Sequence, residues 1–236
     1  MAAAHALKFR APFSTNKDFR THTNLGEVDY EDMHLGHMAE RLRRGFYGEV
    51  DWAIIEVSDL DEGATECRAY LTTAGGIVST IARLAKKVII EHNQFHNPNS
   101  RFLHDTWEPH ECWENREVMD IHSPYDRVGN NYVSIDPSKI VGVIESNIPE
   151  EARAFKEPDD DTMRIGLHVA DLLANDMKHG RIPKSFLPIQ SGVGATGNAV
   201  LKALGTSPLI PQFNVYSEVG QDAAVNYMLE GKIKYA

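Results

Sequence analysis

The stretch WAIIEV at residues 52–57 is an apolar run of strand length, and a second such run, KVIIE, follows at residues 87–91. Between these runs, apolar residues recur at helical spacing over residues 77–85. Strand-length apolar runs separated by a helical pattern are typical of parallel strands joined by a crossover helix. This order predicts an α/β fold with a mostly parallel sheet and flanking helices.

The same alternation of strand and helix continues to the end of the chain. Residues 96–138 interrupt it, because they are rich in His, Asn, Pro and Asp and show little periodicity. Long irregular stretches inside a compact domain are often functional. The remaining predicted elements are a strand at 139–145, a helix from a cap at Asp161 to Gly180, a strand at 186–190, a helix at 198–204, a strand at 213–216 and a helical stretch to Gly231.

The composition excludes several classes of function. The chain has 236 residues, 42% of them apolar, and a formal net charge of -10, which argues against a nucleic-acid surface because phosphate binding needs clustered Lys and Arg. The longest apolar runs are too short to cross a bilayer. Cys67 and Cys112 stand alone in the sequence, so we expect neither a zinc site nor a disulfide framework, and a reducing, cytoplasmic compartment with a mitochondrial one as the alternative.

A glycine-rich segment, QSGVGATGNAV at residues 190–200, follows a strand candidate and opens a helix. Glycines there allow close approach of the backbone to a ligand, and a helix N-terminus attracts anions. Taken alone, the segment matches the dinucleotide fingerprint, with an acid at Glu218 about 20 residues downstream. Pro188 in the preceding strand and the short remaining sequence weaken that alternative. A turn without any ligand is a further alternative.

A second segment, YSEVGQD at residues 216–222, places Glu218 at the end of an apolar strand and before a helix. In a parallel sheet this position lies at the rim, where ligands bind. The alternative is a surface glutamate stabilised by the dipole of the following helix. His34 and His37 could face one metal ion, but no third ligand follows at a fixed spacing, so we expect hydrogen bonding within the fold and no metal site.

In combination, these segments resemble the paired signature of the acetyl-CoA hydrolase/CoA-transferase family. The resemblance extends from about residue 10 to the end of the chain, in the order of the family's motifs. Further matching stretches are DMHL at 32–35, residues 51–56, VIIE at 88–91, LHD at 103–105, DRVG at 126–129, IDPSKIV at 135–141 and KHGRIP at 178–183. Each stretch is short, whereas the ordered set is specific.

The resemblance implies an enzyme that transfers coenzyme A through a covalent intermediate on a glutamate. Glu218 matches the family's nucleophile, which forms an acyl-glutamyl anhydride and then a glutamyl-CoA thioester. The expected substrates are an acyl-CoA such as acetyl-CoA or succinyl-CoA and a small carboxylic acid, and acetyl-CoA hydrolysis is a related activity. CoA acts as a substrate and no cofactor is expected. The family's CoA-binding loop matches Gly192, Val193, Gly194, Ala195 and Thr196.

The resemblance also implies an incomplete enzyme of NagB/RpiA-like fold. Residues 1–180 correspond to the remainder of an N-terminal CoA-transferase domain, and residues 181–236 to the start of a second α/β unit. We therefore expect a missing second domain, an exposed sheet edge where further segments pack, a second chain that supplies the C-terminal domain, and a homo-oligomer. Gly220 replaces a larger apolar residue common in the family. The alternatives are an inactive fragment, a complementing subunit, and a nucleotide-binding oxidoreductase.

Overall fold

The computed structural model describes residues 10–14, 16–73, 75–108, 118–123, 125–150 and 157–236. The chain divides into two compact units. Unit 1 comprises Met1–Glu117 and Gly129–Pro149, and unit 2 comprises Val118–Val128 and Glu150–Ala236. Cys112 lies outside the described residues, whereas Cys67 is a buried free thiol.

Strands and helices alternate along much of the described chain, which confirms the predicted α/β class. The strands are β1 Arg10–Ala11, β2 Asp29–Tyr30, β3 Trp52–Glu62, β4 Cys67–Leu71, β5 Lys87–Asn93, β6 Val133–Ile135 and β7 Ile140–Ser146. The helices are α1 Lys17–Asn24, α2 Gly36–Arg43, α3 Val78–Leu84, α4 Asp160–Lys178, α5 Ala195–Thr206 and α6 Asp222–Leu229. Two short 3-10 helices lie at Pro98–Phe102 and Pro137–Lys139.

The main sheet of unit 1 is mixed, where the sequence predicted a mostly parallel one. Its order in the described residues is β6-β4-β3-β5-β7. The strands β3, β5 and β7 run parallel, as predicted, but β4 pairs antiparallel with both β3 and β6. The reason is the connection between β3 and β4, which is only four residues long and allows an antiparallel return but no crossover.

The core of unit 1 lies between one face of this sheet and α3. Along β3 the side chains alternate, so that Ala53, Ile55 and Val57 are buried while Trp52 and Ile54 are exposed. Burial of each large aliphatic side chain stabilises the fold by roughly 1.5–3 kcal/mol. The remaining buried core residues are Cys67, Ala69, Leu71, Ala82, Ala85, Val88, Ile90, Val133 and Ile135.

Unit 2 packs α4, α5 and α6 around two extended segments. The predicted strands at 186–190 and 213–216 are present only as isolated bridges, which pair Ile189 with Val215 in parallel and Phe213 with Ile233. The two segments are nonetheless held side by side by backbone hydrogen bonds. Their core contains Ala170, Phe186, Leu201, Ala203, Leu204, Ile210, Phe213, Val215, Ala224 and Ile233.

Helix α4 begins earlier than the sequence predicted. Its N-cap is Asp159, whose carboxylate accepts a hydrogen bond from the Thr162 amide at 2.9 Å. The predicted cap, Asp161, lies in the first helical turn and pairs with Arg164. Three consecutive aspartates precede Thr162, and the cap is the one whose backbone is extended and whose side chain reaches the third amide of the helix.

The irregular stretch predicted at 96–138 contains little regular structure where it is described. It holds the 3-10 helix Pro98–Phe102, an isolated bridge between Thr106 and Asn130, and β6. The domain boundary predicted at residue 180 stays a prediction. By compactness alone, α4 groups with the later elements. Within the described residues, no helix is long and apolar enough to cross a membrane.

Candidate active site

The glycine-rich loop and the Glu218 segment leave the ends of two neighbouring parallel segments. The Ile189 amide donates to the Asn214 carbonyl at 3.0 Å, and the Tyr216 amide donates to the Ile189 carbonyl at 2.9 Å. The chain then runs from Ile189 into the loop at 190–194, and from Tyr216 into the segment at 217–221. Both loops therefore occupy the same edge, the carboxyl ends of the segments, where α/β folds bind ligands.

The glycine-rich loop requires glycine at two places. Gly194, which precedes α5, has φ 139° and ψ 171°, a conformation that is almost restricted to glycine. Gly197, in the first turn of α5, lies so close to the Gly192 carbonyl oxygen that a Cβ atom there would overlap it. The two glycines let the loop fold back over the start of the helix.

The N-terminal turn of α5 faces this loop without a side-chain cap. No acidic residue lies in the first turn, Val193 is exposed, and the amide of Asn198 donates to the Gly194 carbonyl at 3.0 Å. The amides of the preceding residues, among them Ala195 and Thr196, belong to the positive end of the helix dipole. Chemically, this end can stabilise a phosphate or a developing negative charge.

Glu218 lies next to the glycine-rich loop, as predicted, and its side chain is exposed. The residues on either side of it, Ser217 and Gln221, form hydrogen bonds that link this segment to the glycine-rich loop. The Ser217 hydroxyl donates to the Val219 carbonyl at 3.0 Å and lies 3.5 Å from the Ser191 carbonyl. Gln221 donates its side-chain amide to the carbonyls of Ser191 at 3.3 Å and Gly192 at 3.1 Å. The contacts of these neighbours place the Glu218 segment beside the loop, and the exposed side chain lies outside the apolar core.

An apolar cavity of about 430 Å³, wide open to solvent, adjoins the same segments. One wall is a turn in which the Asp126 carboxylate accepts hydrogen bonds from the His122 amide, the Ser123 amide and the Ser123 hydroxyl at 2.7–2.9 Å. The Ser123 hydroxyl, followed by the backbone amides, lowers the pKa of Asp126 below its ordinary value. The cavity is lined by Ile121, His122, Ser123, Pro188, Ile189, Gln190 and Tyr216.

The sequence did not identify this wall. Asp126 belongs to the DRVG motif at 126–129, which by itself predicts no structural role for the carboxylate. The signal that could have found it is the spacing Ser-x-x-Asp, in which the aspartate can accept from the serine hydroxyl and from nearby amides. The packing of residues 118–123 in unit 2, more than 60 residues before the glycine-rich loop, has no local signal.

A second cavity, of about 250 Å³, lies against α5 and α6, and its lining includes Asn198 and Asp222 from the first turns of these helices. Glu157, Asp222 and Glu230 supply carboxylates to its lining, and Lys202 supplies a cation. An excess of carboxylates disfavours a phosphate group there. His34 and His37 stack edge to face, with ring centroids 5.5 Å apart, and the described residues form no group of three metal-ligating side chains.

The chain is similar to known proteins over its whole length. Residues 1–145 match the family model of the acetyl-CoA hydrolase/transferase N-terminal domain. The chain is 41% identical to a propanoyl-CoA:succinate CoA transferase of Escherichia coli K12 over 236 residues, which are 100% of this chain and 47% of that protein. It is 31% identical to an acetyl-CoA hydrolase of Neurospora crassa, covering 100% of this chain and 45% of that one.

The fold matches as well. The crystal structure of a 4-hydroxybutyrate CoA-transferase from Porphyromonas gingivalis superposes with a TM-score of 0.56 and 20% identity, covering 97% of this chain and 48% of that one. The chain spans about half the length of the curated relatives it matches. Because the family model covers more than half of its residues, the chain belongs to the acetyl-CoA hydrolase/transferase family.

Proposed function

We propose that this chain takes part in acyl-CoA metabolism by transferring CoA between an acyl-CoA and a small carboxylic acid, with Glu218 as the nucleophile. The observation that carries the proposal is the position of Glu218, exposed at the carboxyl end of an extended segment and beside the glycine-rich loop. Family membership supplies the reaction class. It favours this function over the nucleotide-binding oxidoreductase.

The proposed reaction proceeds in four exchanges at carbonyl carbons. The Glu218 carboxylate attacks the thioester carbonyl, and the CoA thiolate leaves, which gives an acyl-glutamyl anhydride. The thiolate then attacks the glutamyl carbonyl of the anhydride, releases the free carboxylate of the first acyl group and leaves a glutamyl-CoA thioester. The acceptor carboxylate repeats the two exchanges in reverse, so that Glu218 is regenerated. Each intermediate is about as activated as a thioester, so no external energy source is needed.

The surroundings of Glu218 suit these steps. In each exchange a negative charge develops on a carbonyl oxygen, and donors at the start of α5, including the amides of Ala195 and Thr196, can stabilise it. The apolar cavity next to Tyr216 and Gln190 has a volume suited to the acyl and pantetheine part of a thioester.

Hydrolysis follows from the same intermediates when water replaces the acceptor acid. Access of water to the glutamyl carbonyl then decides between transferase and hydrolase activity. The chain spans about half the length of its relatives, which favours a site completed by further polypeptide. We therefore propose that full turnover requires a second domain, supplied by the same protein or by a partner chain.

The test is to trap the intermediate at Glu218. The chain is incubated with acetyl-CoA or succinyl-CoA, alone and with a separately produced second domain of a family member, and digested for mass spectrometry. We expect a CoA adduct on the peptide that contains Glu218, and borohydride should cleave it. Glu218→Ala should abolish the adduct and turnover. Glu218→Asp should be poor, since shortening the side chain moves the carboxylate by about 1 Å or more.

Glu230→Ala is the matched control, because Glu230 is also an exposed glutamate of unit 2 but lies at the end of α6. In this variant the adduct on Glu218 should form at the wild-type rate. An adduct that persists in Glu218→Ala would show that another residue is the nucleophile. The absence of any adduct, with or without the second domain, would leave the inactive fragment as the better description.

A further inference from the structure

Gln221 is a buried polar residue whose side chain forms no hydrogen bond with its own helix, α6. It occupies the N-cap position of α6 and its backbone carbonyl accepts from the Ala224 amide at 2.9 Å, but its side chain makes no cap. The side chain is 2% exposed and reaches across to the glycine-rich loop. The backbone of Gln221 therefore begins α6, while its side-chain amide contacts the glycine-rich loop.

The amide donates to two carbonyl oxygens, those of Ser191 at 3.3 Å and Gly192 at 3.1 Å. Because both partners are acceptors, the NH₂ group must face them and the orientation of the side chain is fixed. The carbonyl oxygen Oε1 is buried and has no hydrogen-bond partner among the described residues. An apolar residue of similar size would avoid that cost of about 1–3 kcal/mol, so stability alone does not explain a glutamine here.

The Gln221 hydrogen bonds are important because the backbone does not link the two loops. Beyond the bond from Tyr216 to Ile189, no backbone–backbone hydrogen bond in the described structure joins residues 217–221 to residues 190–194. Side chains hold the two loops together, and of these Gln221 makes two contacts while the Ser217 hydroxyl is only 3.5 Å from the Ser191 carbonyl. Glu218 lies three residues from Gln221, in the loop that these contacts hold.

We infer that Gln221 is a positioning residue that fixes the Glu218 loop against the glycine-rich loop, so that the nucleophile and the charge-stabilising donors keep one relative geometry. The inference rests on the proposed function of Glu218. A displacement of the reacting groups by about 1 Å lowers the rate of a reaction on the order of 100-fold. Loss of the amide contacts should therefore slow the attack without preventing acyl-CoA from binding.

The test uses two variants of the full chain. Gln221→Leu keeps the size of the side chain but removes both donors. Gln221→Glu places a carboxylate against two carbonyl oxygens, which repel it while it is ionised, and protonation at low pH restores one donor. Gln212→Leu is the matched control, because Gln212 also donates its side-chain amide to a backbone carbonyl, that of Gly231 at 2.8 Å, but is exposed and precedes the other end of the 213–216 segment.

The first measurement is hydrogen exchange of the peptide covering residues 190–198, which needs no activity. Exchange should become about 10-fold faster in Gln221→Leu, and in Gln221→Glu the acceleration over wild type should shrink as the pH falls. Gln212→Leu should leave it unchanged. Equal exchange in wild type and Gln221→Leu would overturn the inference, whatever the chain catalyses.

The second measurement is the rate of adduct formation at Glu218 under the trapping conditions above. A positioning role predicts a rate constant about 10- to 100-fold lower in Gln221→Leu, with the same final amount of adduct and a KM changed less than about 3-fold. A merely structural role would lower the amount of adduct and leave the rate constant of the folded fraction unchanged, which would overturn the inference. No adduct in the wild-type chain would instead refute the proposed function.

Discussion

At the scale of single residues, Asp126 gives the clearest electrostatic prediction. Its carboxylate accepts hydrogen bonds from the Ser123 hydroxyl and from the amides of His122 and Ser123, and these hydrogen bonds lower its pKa below the ordinary value of 3.8. A carboxyl group with a lowered pKa in the folded state stabilises the fold above its unfolded pKa. This contribution is lost as the pH falls through the lowered value.

We therefore expect the turn at His122 and Ser123 to stay intact at neutral pH and to loosen only in acid, below about pH 4. The measurement is an NMR titration of the Asp126 side-chain carbon. Ser123→Ala removes the largest cause and should raise the pKa of Asp126 towards 3.8. A midpoint at or above 3.8 in the wild-type chain would contradict the hydrogen bonding described for this wall of the cavity.

Local signals in the sequence predict where Glu218 and the glycine-rich loop lie relative to the sheet. Their signals are local, since a strand-like run followed by glycines or by an acid before a helix predicts a loop at the edge of a sheet. The role of Gln221 could not be found in that way. Its partners, Ser191 and Gly192, are about 30 residues away, and only the folded chain brings them within hydrogen-bonding distance.

At the scale of elements, mutations at the start of α4 can test whether Asp159, and not the predicted Asp161, is the N-cap of the helix. The Asp159 carboxylate accepts from the Thr162 amide at 2.9 Å and from the Thr162 hydroxyl at 2.7 Å. Asp159→Ala should lower the free energy of unfolding by about 0.5–2 kcal/mol, because an amide at the helix start loses its acceptor. The measurement is urea unfolding followed by circular dichroism.

Asp161→Ala is the control for that experiment. Asp161 is exposed and pairs with Arg164 at 2.6 Å, and an exposed pair of this kind contributes about 0.5 kcal/mol or less. If Asp161→Ala were the more destabilising of the two, the cap predicted from the sequence would be the correct one. Local propensity placed this helix well but its first residue poorly, since neighbouring aspartates are nearly equivalent as caps until the backbone conformation is known.

At the scale of the whole molecule, exposed apolar surface promotes self-association and the net negative charge opposes it. The edge strand β7 exposes Val141, Val143 and Ile144, and β3 exposes Trp52 and Ile54 on its uncovered face. A net charge of -10 at pH 7 opposes association through these surfaces. That repulsion weakens as the pH falls towards the isoelectric point near 5.5.

We expect self-association to rise between pH 7 and pH 5.5, measured by light scattering coupled to size-exclusion chromatography. Ile144→Lys should reduce it, since a lysine on an edge strand opposes pairing of edges. Asp171→Asn is the control, because it changes the net charge by the same amount at an exposed position of α4, in unit 2. If both variants behaved alike, association would depend on net charge alone and the edge would have no part in it.

The sequence by itself determined the α/β class, the helices at α3, α4, α5 and α6, the family resemblance, and the placement of Glu218 beside the glycine-rich loop. These features depend on periodicity and on residues that are neighbours in the chain. Only the tertiary structure decided that β4 pairs antiparallel with β3 and β6, that Asp159 caps α4, that residues 121–123 line a cavity in unit 2, and that Gln221 joins the two loops. The physical reason is that such contacts join groups far apart in sequence, whose distances are set by the packing of whole elements.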